Sequence, residues 1–154
     1  MREIFSRAPD EPLPDLSSLP SELFEFTSVP GAYFDAFPVH LHTTSSLAAM
    51  SRLDPAAAWD VRRFRPNFLI ETTENTLGFI KATWRGRTLR LGEVRLTCET
   101  PTARCGMTTH AQADLARDRT VLRTIIQNAG QNLGIYASVI GAGEVDVDDQ
   151  VELL

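Results

Sequence analysis

The strongest constraint on the fold lies between Thr88 and Cys98. Two short runs, Thr88 to Leu91 and Val94 to Cys98, alternate apolar and polar side chains on either side of Gly92-Glu93. A period of two broken by a glycine-bearing two-residue joint predicts a β-hairpin with one buried face, made by Leu89, Leu91, Val94, Leu96 and Cys98. A lone hairpin is barely stable in water, so the rest of the chain must supply more strands or a covering helix. Cys98 falls on the buried face and reads as a small core residue.

The remaining elements follow from the same kind of pattern. Phe68, Leu69 and Ile70 form an apolar run just after Pro66, which cannot sit in a central ladder, so Arg65 and Asn67 stand at a strand entrance. Thr43, Thr44 or Ser45 can cap a short helix over 46–53, with Leu47 and Met50 buried, ended by Asp54-Pro55. Val121, Leu122, Ile125, Ile126 and Ala129 recur at helical spacing, with Asp118 or Thr120 as the cap and Gly130 as the stop. Two further strands are expected over 134–140 and 144–153, separated by Gly141-Ala142-Gly143. Short strands with two helices predict an α+β, predominantly β, barrel-like domain.

A chain of 154 residues fits one domain, which at this size buries about 68–70% of the surface its unfolded chain exposes. With 43% hydrophobic and 23% charged residues the composition is that of an ordinary folded protein. Six of the nine prolines lie at or before Pro38, so residues 1–29 read as a proline-rich N-terminal arm and 30–154 as the domain proper. The first ten residues hold charges and a proline in place of an apolar signal core, and the longest apolar run is too short to span a bilayer. Two cysteines in neither a CxxC nor a zinc-knuckle spacing fit a reducing compartment, so a cytoplasmic location is expected.

The net charge of −5 hides an asymmetry. Residues 52–123 hold thirteen of the fifteen basic side chains and eight of the twenty acidic ones, so the middle of the chain is basic and its flanks acidic. All but one of the cations are arginine, whose planar fork grips phosphate or carboxylate at two points. Trp84 sits beside Arg85 and Arg87, but with a pI near 5.2 and no interleaved aromatic series it reads as a rim tryptophan, and neither nucleic acid nor membrane is an expected partner.

Cys105 is the chemically interesting thiol. Proline and glycine bracket it in the stretch from Thr100 to His110, which predicts a loop that presents the side chain, with Arg104 adjacent and Arg65 within reach. His40 and His42 share one side of a strand and His110 lies five residues past Cys105. With no third and fourth ligand evident, all three read as ordinary strand or loop residues.

Three strings occur in an order and spacing that resemble MOSC domains: Asp60-Val61-Arg62-Arg63-Phe64-Arg65-Pro66-Asn67, Pro101 to Thr109 around Arg104-Cys105-Gly106, and Gln131-Asn132-Leu133-Gly134-Ile135-Tyr136-Ala137. Phe34 to Ser46 is similar to the family's opening and Gly143 to Leu153 to its final strand pair. The likeness is to the C-terminal domain of molybdenum cofactor sulfurases and of the related amidoxime-reducing enzymes. It implies that Arg65 and Asn67 touch molybdopterin, that Cys105 gives its sulfur to molybdenum as metal ligand and catalytic residue, and that Arg104, Thr44 and Ser45 contribute to cofactor binding. It further implies an oxidoreductase of N–O or S–O compounds served by an external reductase. The alternative is a carrier of the cofactor, or of a Cys105 persulfide, for a cofactor-acceptor enzyme. A glycine at position 106 departs from the bulkier residue usual there, which opens the face in front of the sulfur.

Overall fold

The computed structural model describes residues 36–73, 78–79 and 81–154. The proline-rich arm and the start of the family-like opening at Phe34-Asp35 lie outside the described residues. In chain order the elements are β1 (Val39–Thr43), α1 (Thr44–Leu53), a 3-10 turn (Val61–Arg63), β2 (Phe68–Ile70), the one-turn α2 (Lys81–Trp84), β3 (Thr88–Leu91), β4 (Val94–Ala103), a second 3-10 turn (Gly106–Thr109), α3 (Arg119–Ala129), β5 (Asn132–Gly141) and β6 (Val151–Leu153). The six strands form one curled, half-barrel sheet in the order β2-β1-β5-β4-β3-β6. Only the β1–β2 pair is parallel. The α+β, mostly β architecture expected of the chain is the one it adopts.

The hairpin forms as its alternation dictates, with Leu91 opposite Val94 and Leu89 opposite Leu96. Its buried face joins Leu41, Ile70, Ile135 and Ala137 in one core, against which the half-buried Trp84 packs. A second core joins Met50 of α1 and Val121, Ile125 and Ala129 of α3 to Phe64 and to Leu133 of β5.

Three boundaries and one buried face differ from expectation, each for a local reason. The first helix starts two residues early, at Thr44, because the Thr43 hydroxyl accepts from the Ser46 amide at 3.3 Å and serves as the cap. β4 runs on to Ala103 where a loop was expected from Thr100, since register shifts on either side of Pro101 absorb the missing amide donor. In α3 the residues Val121, Ile125 and Ala129 alone form the apolar contact, leaving Ile126 49% exposed. The buried stripe of the helix runs through Val121, Thr124, Ile125 and Ala129, and Ile126, 100° around from Ile125 on the side away from Thr124, falls outside it. Of residues 144–153 only the last three before Leu154 pair as a strand. The acidic Asp146 to Asp149 stretch closes on itself instead, with the Asp146 amide donating to the Asp149 carboxylate at 2.8 Å.

A buried arginine fixes the long loop between β4 and α3. Arg63, 2% exposed, donates to the carbonyls of Ala58, Thr108, His110 and Ala116 at 2.7–3.3 Å. Beside it Arg62 bridges Asp60 and Asp114 at the surface, a pair of contacts of minor energetic weight in water. Replacing Arg63 by Ala strands four carbonyls, each costing about 1–3 kcal/mol if left unbonded in the interior. Arg63→Ala should therefore lower the unfolding free energy by about 3 kcal/mol or more in urea titrations and speed hydrogen exchange across residues 106–118. Unchanged stability would show that the loop is held by something else.

Candidate functional site

Cys105 sits where β4 ends. The Arg104 amide donates to the Gln131 carbonyl at 2.8 Å and the Gln131 side-chain amide returns a bond to the Arg104 carbonyl at 3.0 Å, so the chain leaves the sheet at a defined place. Cys105 then occupies the cap position of the 106–109 turn, its carbonyl accepting from the Thr108 amide at 3.2 Å and the Thr108 hydroxyl at 3.0 Å. The Thr109 hydroxyl donates to the Gly106 carbonyl at 2.7 Å. Both threonines are consumed in building the turn and are buried, while Cys105 is exposed. A Cβ added to Gly106 would meet nothing within 4 Å. The second thiol, Cys98, is fully buried, and desolvation followed by the nearby Glu99 pushes its pKa up to about 11.

Behind the exposed thiol lies a tightly packed polar knot. Arg104 is 7% exposed and donates from Nε to the Leu133 carbonyl at 2.7 Å, from Nη1 to the Phe64 carbonyl at 3.3 Å and from Nη2 to His40 Nε2 at 2.6 Å. Its guanidinium lies 5.3 Å from the centre of the Phe64 ring. A guanidinium has no acceptor, so His40 Nε2 must be the unprotonated nitrogen. The His40 ring also hydrogen-bonds the Arg65 backbone. Gly134 makes room for this arrangement: at φ +95°, a Cβ there would lie 2.6 Å from His40 Nε2, 2.9 Å from the Leu41 carbonyl and 3.0 Å from Arg104 Nη2.

The FRPN segment joins the knot through its backbone. Arg65 adopts φ +50°, a left-handed conformation costly for a residue with a side chain, and its own side chain is exposed. Asn67 Oδ1 accepts from the His40 amide at 2.7 Å while the Asn67 amide donates to the His40 carbonyl at 2.9 Å. Its Oδ1 is thus committed to β1, which leaves the Nδ2 donors as the end available to a ligand. Thr44 and Ser45 stand just past the far end of β1, which itself lies about 10 Å along the strand from His40. The Thr44 hydroxyl bonds Thr72 at 3.1 Å and the buried Ser45 hydroxyl lies 3.2 Å from that of Thr43. Cys105, Arg104, Arg65 and Asn67 are therefore linked by direct contacts through His40 and Phe64, whereas Thr44 and Ser45 are reached only along β1.

His40 and His42 are ordinary strand residues in position but not in surroundings. Their rings meet edge to face at 6.2 Å, and His42 lies 5.1 Å from Phe64. Burial first, then the charge of Arg104, lowers both pKa values from 6.5 to about 3. Phe64, His40, His42 and Gly134 were not singled out by sequence as parts of a site. The glycine within Gln131 to Ala137 was the available signal.

On the α3 side of Cys105 lies an open hollow of about 400 Å³, lined by Gly106, Thr109, Arg119, Leu122, Arg123, Ile126 and Gln127. Its floor is apolar and two arginines one turn apart stand on its wall.

Two measurements test this geometry. Gly134→Ala combines backbone strain with overlap and should cost about 3 kcal/mol in chemical denaturation, from the ranges known for each effect. A native stability within 1 kcal/mol would mean that the knot yields. Because both histidines hold folded pKa values below their unfolded ones, the unfolded chain takes up more protons between pH 6.5 and 3. Stability is thus fully present above about pH 6.5 and falls as the pH drops through that window, by up to about 1.4 kcal/mol per pH unit for each histidine. The His40 and His42 Hε1 resonances should not titrate between pH 8 and pH 5, and a midpoint near 6.5 for either would contradict their burial.

The fold matches three solved structures at similar levels. YiiM from Escherichia coli aligns with TM-score 0.55 and 20% identity over 77% of this chain and 54% of its own. YiiM from Geobacillus stearothermophilus aligns with TM-score 0.55, 13% identity and the same two coverages. A structure described only as a hypothetical protein aligns with TM-score 0.56 and 22% identity over 76% of this chain and 50% of its own. The chain thus spans about half the length of these structures, which at such identities share its fold. No curated protein sequence matches the chain significantly. Among the described residues no helix is long and apolar enough to cross a membrane. The MOSC domain model matches residues 28–152, which takes in the FRPN segment, the Cys105 turn and the glycine of the knot, and the chain belongs to the MOSC domain family.

Proposed function

We propose that this MOSC domain holds a molybdenum cofactor with the Cys105 thiolate as the protein's ligand to the metal, and reduces N–O or S–O compounds there. One observation carries the reading: within the family match, the single exposed thiol sits on a rigid turn with open space in front of it at Gly106. The surrounding residues fit the group. A soft thiolate suits an oxidised metal already bound by sulfur, exposed Arg65 offers a planar fork to a phosphate, and Asn67 Nδ2 offers amide donors to a pterin edge. Each charge-assisted bond contributes about 1.5–3 kcal/mol, so two or three decide whether the cofactor stays.

In this reading Arg104 acts from behind. Its donors go to Leu133, Phe64 and His40, so its part in binding is to hold Cys105 and the Arg65 backbone at a fixed separation. When bound, the metal supplies two-electron chemistry. Cleaving an N–OH bond consumes two electrons and two protons and releases water, and the electrons come from an external reductase. Cys105 fixes the metal, Arg65 and Asn67 orient the pterin, and Gly106 leaves the approach unobstructed. That same openness supports a second reading, in which Cys105 carries a persulfide to a cofactor-acceptor enzyme.

Protein made in a host that supplies the cofactor should contain about one molybdenum per chain, and Cys105→Ala should lose it. Metal-free wild-type protein from such a host would overturn the reductase reading. A sulfur adduct on Cys105 after exposure to a cysteine desulfurase, seen by mass spectrometry in that metal-free protein, would select the persulfide reading.

A further inference from the structure

The hollow beside Cys105 has no part in the cofactor contacts described so far. It shares Gly106 and Thr109 with the thiol's turn and is otherwise built from one stripe of α3: Arg119, Leu122, Arg123, Ile126 and Gln127, which recur at intervals of three and four. Its volume of about 400 Å³ falls within the range of small-molecule sites. Ile126, 49% exposed, and the half-buried Leu122 present apolar surface that neither core uses. Among the described residues neither Arg119 nor Arg123 forms a salt bridge. The nearest sequence carboxylate, Asp118, is engaged with the Thr120 amide and hydroxyl through Oδ1 and with the Ala58 amide through Oδ2.

We infer that this hollow is the substrate subsite of the Cys105 centre, and that it selects flat apolar molecules carrying a carboxylate, sulfonate or phosphate. The inference rests on Cys105 being the reacting centre. Leu122 and Ile126 supply an apolar bed, and the two guanidiniums supply a paired anion grip one helical turn apart. Gly106 has no side chain to separate bed from thiol. A neutral molecule of the same shape gains only the apolar contact. In a chain of net charge −5, two arginines next to a cavity that pair with no carboxylate among the described residues make a local preference for anions that the molecule as a whole does not have.

The test uses 1-anilinonaphthalene-8-sulfonate, a flat apolar anion, beside N-phenyl-1-naphthylamine, its neutral counterpart, on the full chain without molybdenum. The anionic probe should bind at one site, and the Arg119→Gln/Arg123→Gln double variant should weaken it about tenfold or more while changing the neutral probe less than about twofold, as expected for losing charge-assisted bonds alone. Saturating anionic probe should also slow the alkylation of Cys105 by iodoacetamide, read by mass spectrometry, at least about fivefold. Circular dichroism should find the double variant folded, and Arg123→Lys should retain part of the binding. Binding indifferent to both arginines, or an unchanged alkylation rate, would overturn the inference. So would loss of probe binding once the cofactor is loaded, which would assign the arginines to the pterin phosphate. The probe-binding and alkylation readouts on the chain without molybdenum need no bound metal, so a protein that fails to take molybdenum yet passes them loses the reductase reading and keeps the subsite.

Discussion

One buried cation organises this domain. Burying a guanidinium is expensive unless its donors are met, and Arg104 meets that cost with two backbone carbonyls, a histidine nitrogen and an aromatic face. Those partners belong to different segments: Leu133 lies at the start of β5, Phe64 is the first residue of the FRPN segment and His40 lies in β1. A single side chain therefore ties together three stretches far apart in sequence, immediately behind the residue that presents the thiol. The neutrality of His40 and His42 follows from the same charge and the same burial. The need for a glycine at 134 follows from the space that the guanidinium and imidazole occupy.

The consequence is a division between a rigid back and an open front. Thr108 and Thr109 turn their hydroxyls into the 106–109 turn, Arg63 clamps the following loop from inside, and Asn67 fastens the FRPN segment to β1. What remains on the outside is a thiol, an exposed Arg65 held in a left-handed conformation, an unobstructed glycine and the arginine-walled hollow along α3. Strain of the kind seen at Arg65 persists only where its surroundings over-determine it, and the His40 contact to its backbone is such a surrounding. The two thiols illustrate the division: one sits in hydrocarbon with its pKa near 11, and the other stands in solvent.

Much of this was legible from local patterns. The hairpin, the cap at Asp118, the stop at Gly130 and the exposed placing of Cys105 each depend on a few neighbouring residues, so sequence periodicity reports them. The family likeness rested on strings that the structure gathers around one knot. What stayed hidden depends on contacts between distant segments. The structural part that Arg104 plays stayed hidden because nothing in sequence shows that Leu133, Phe64 and His40 converge on it. Leu122 and Ile126 looked buried because helical spacing says which residues share a face, and says nothing of how wide the opposing surface is. The acidic residues before β6 looked like strand because the break at Gly141-Ala142-Gly143 marks where one strand ends and does not show the turn that Asp146 and Asp149 make with each other.

Hydrogen exchange on Arg104→Lys addresses the central claim most directly. Lysine keeps the charge and removes the fork, so if one guanidinium holds three segments, amide protection should fall together over residues 39–43, 61–67 and 131–135, while the β3–β4 hairpin stays protected. Loss confined to the turn around Cys105, with those three segments unchanged, would contradict the account.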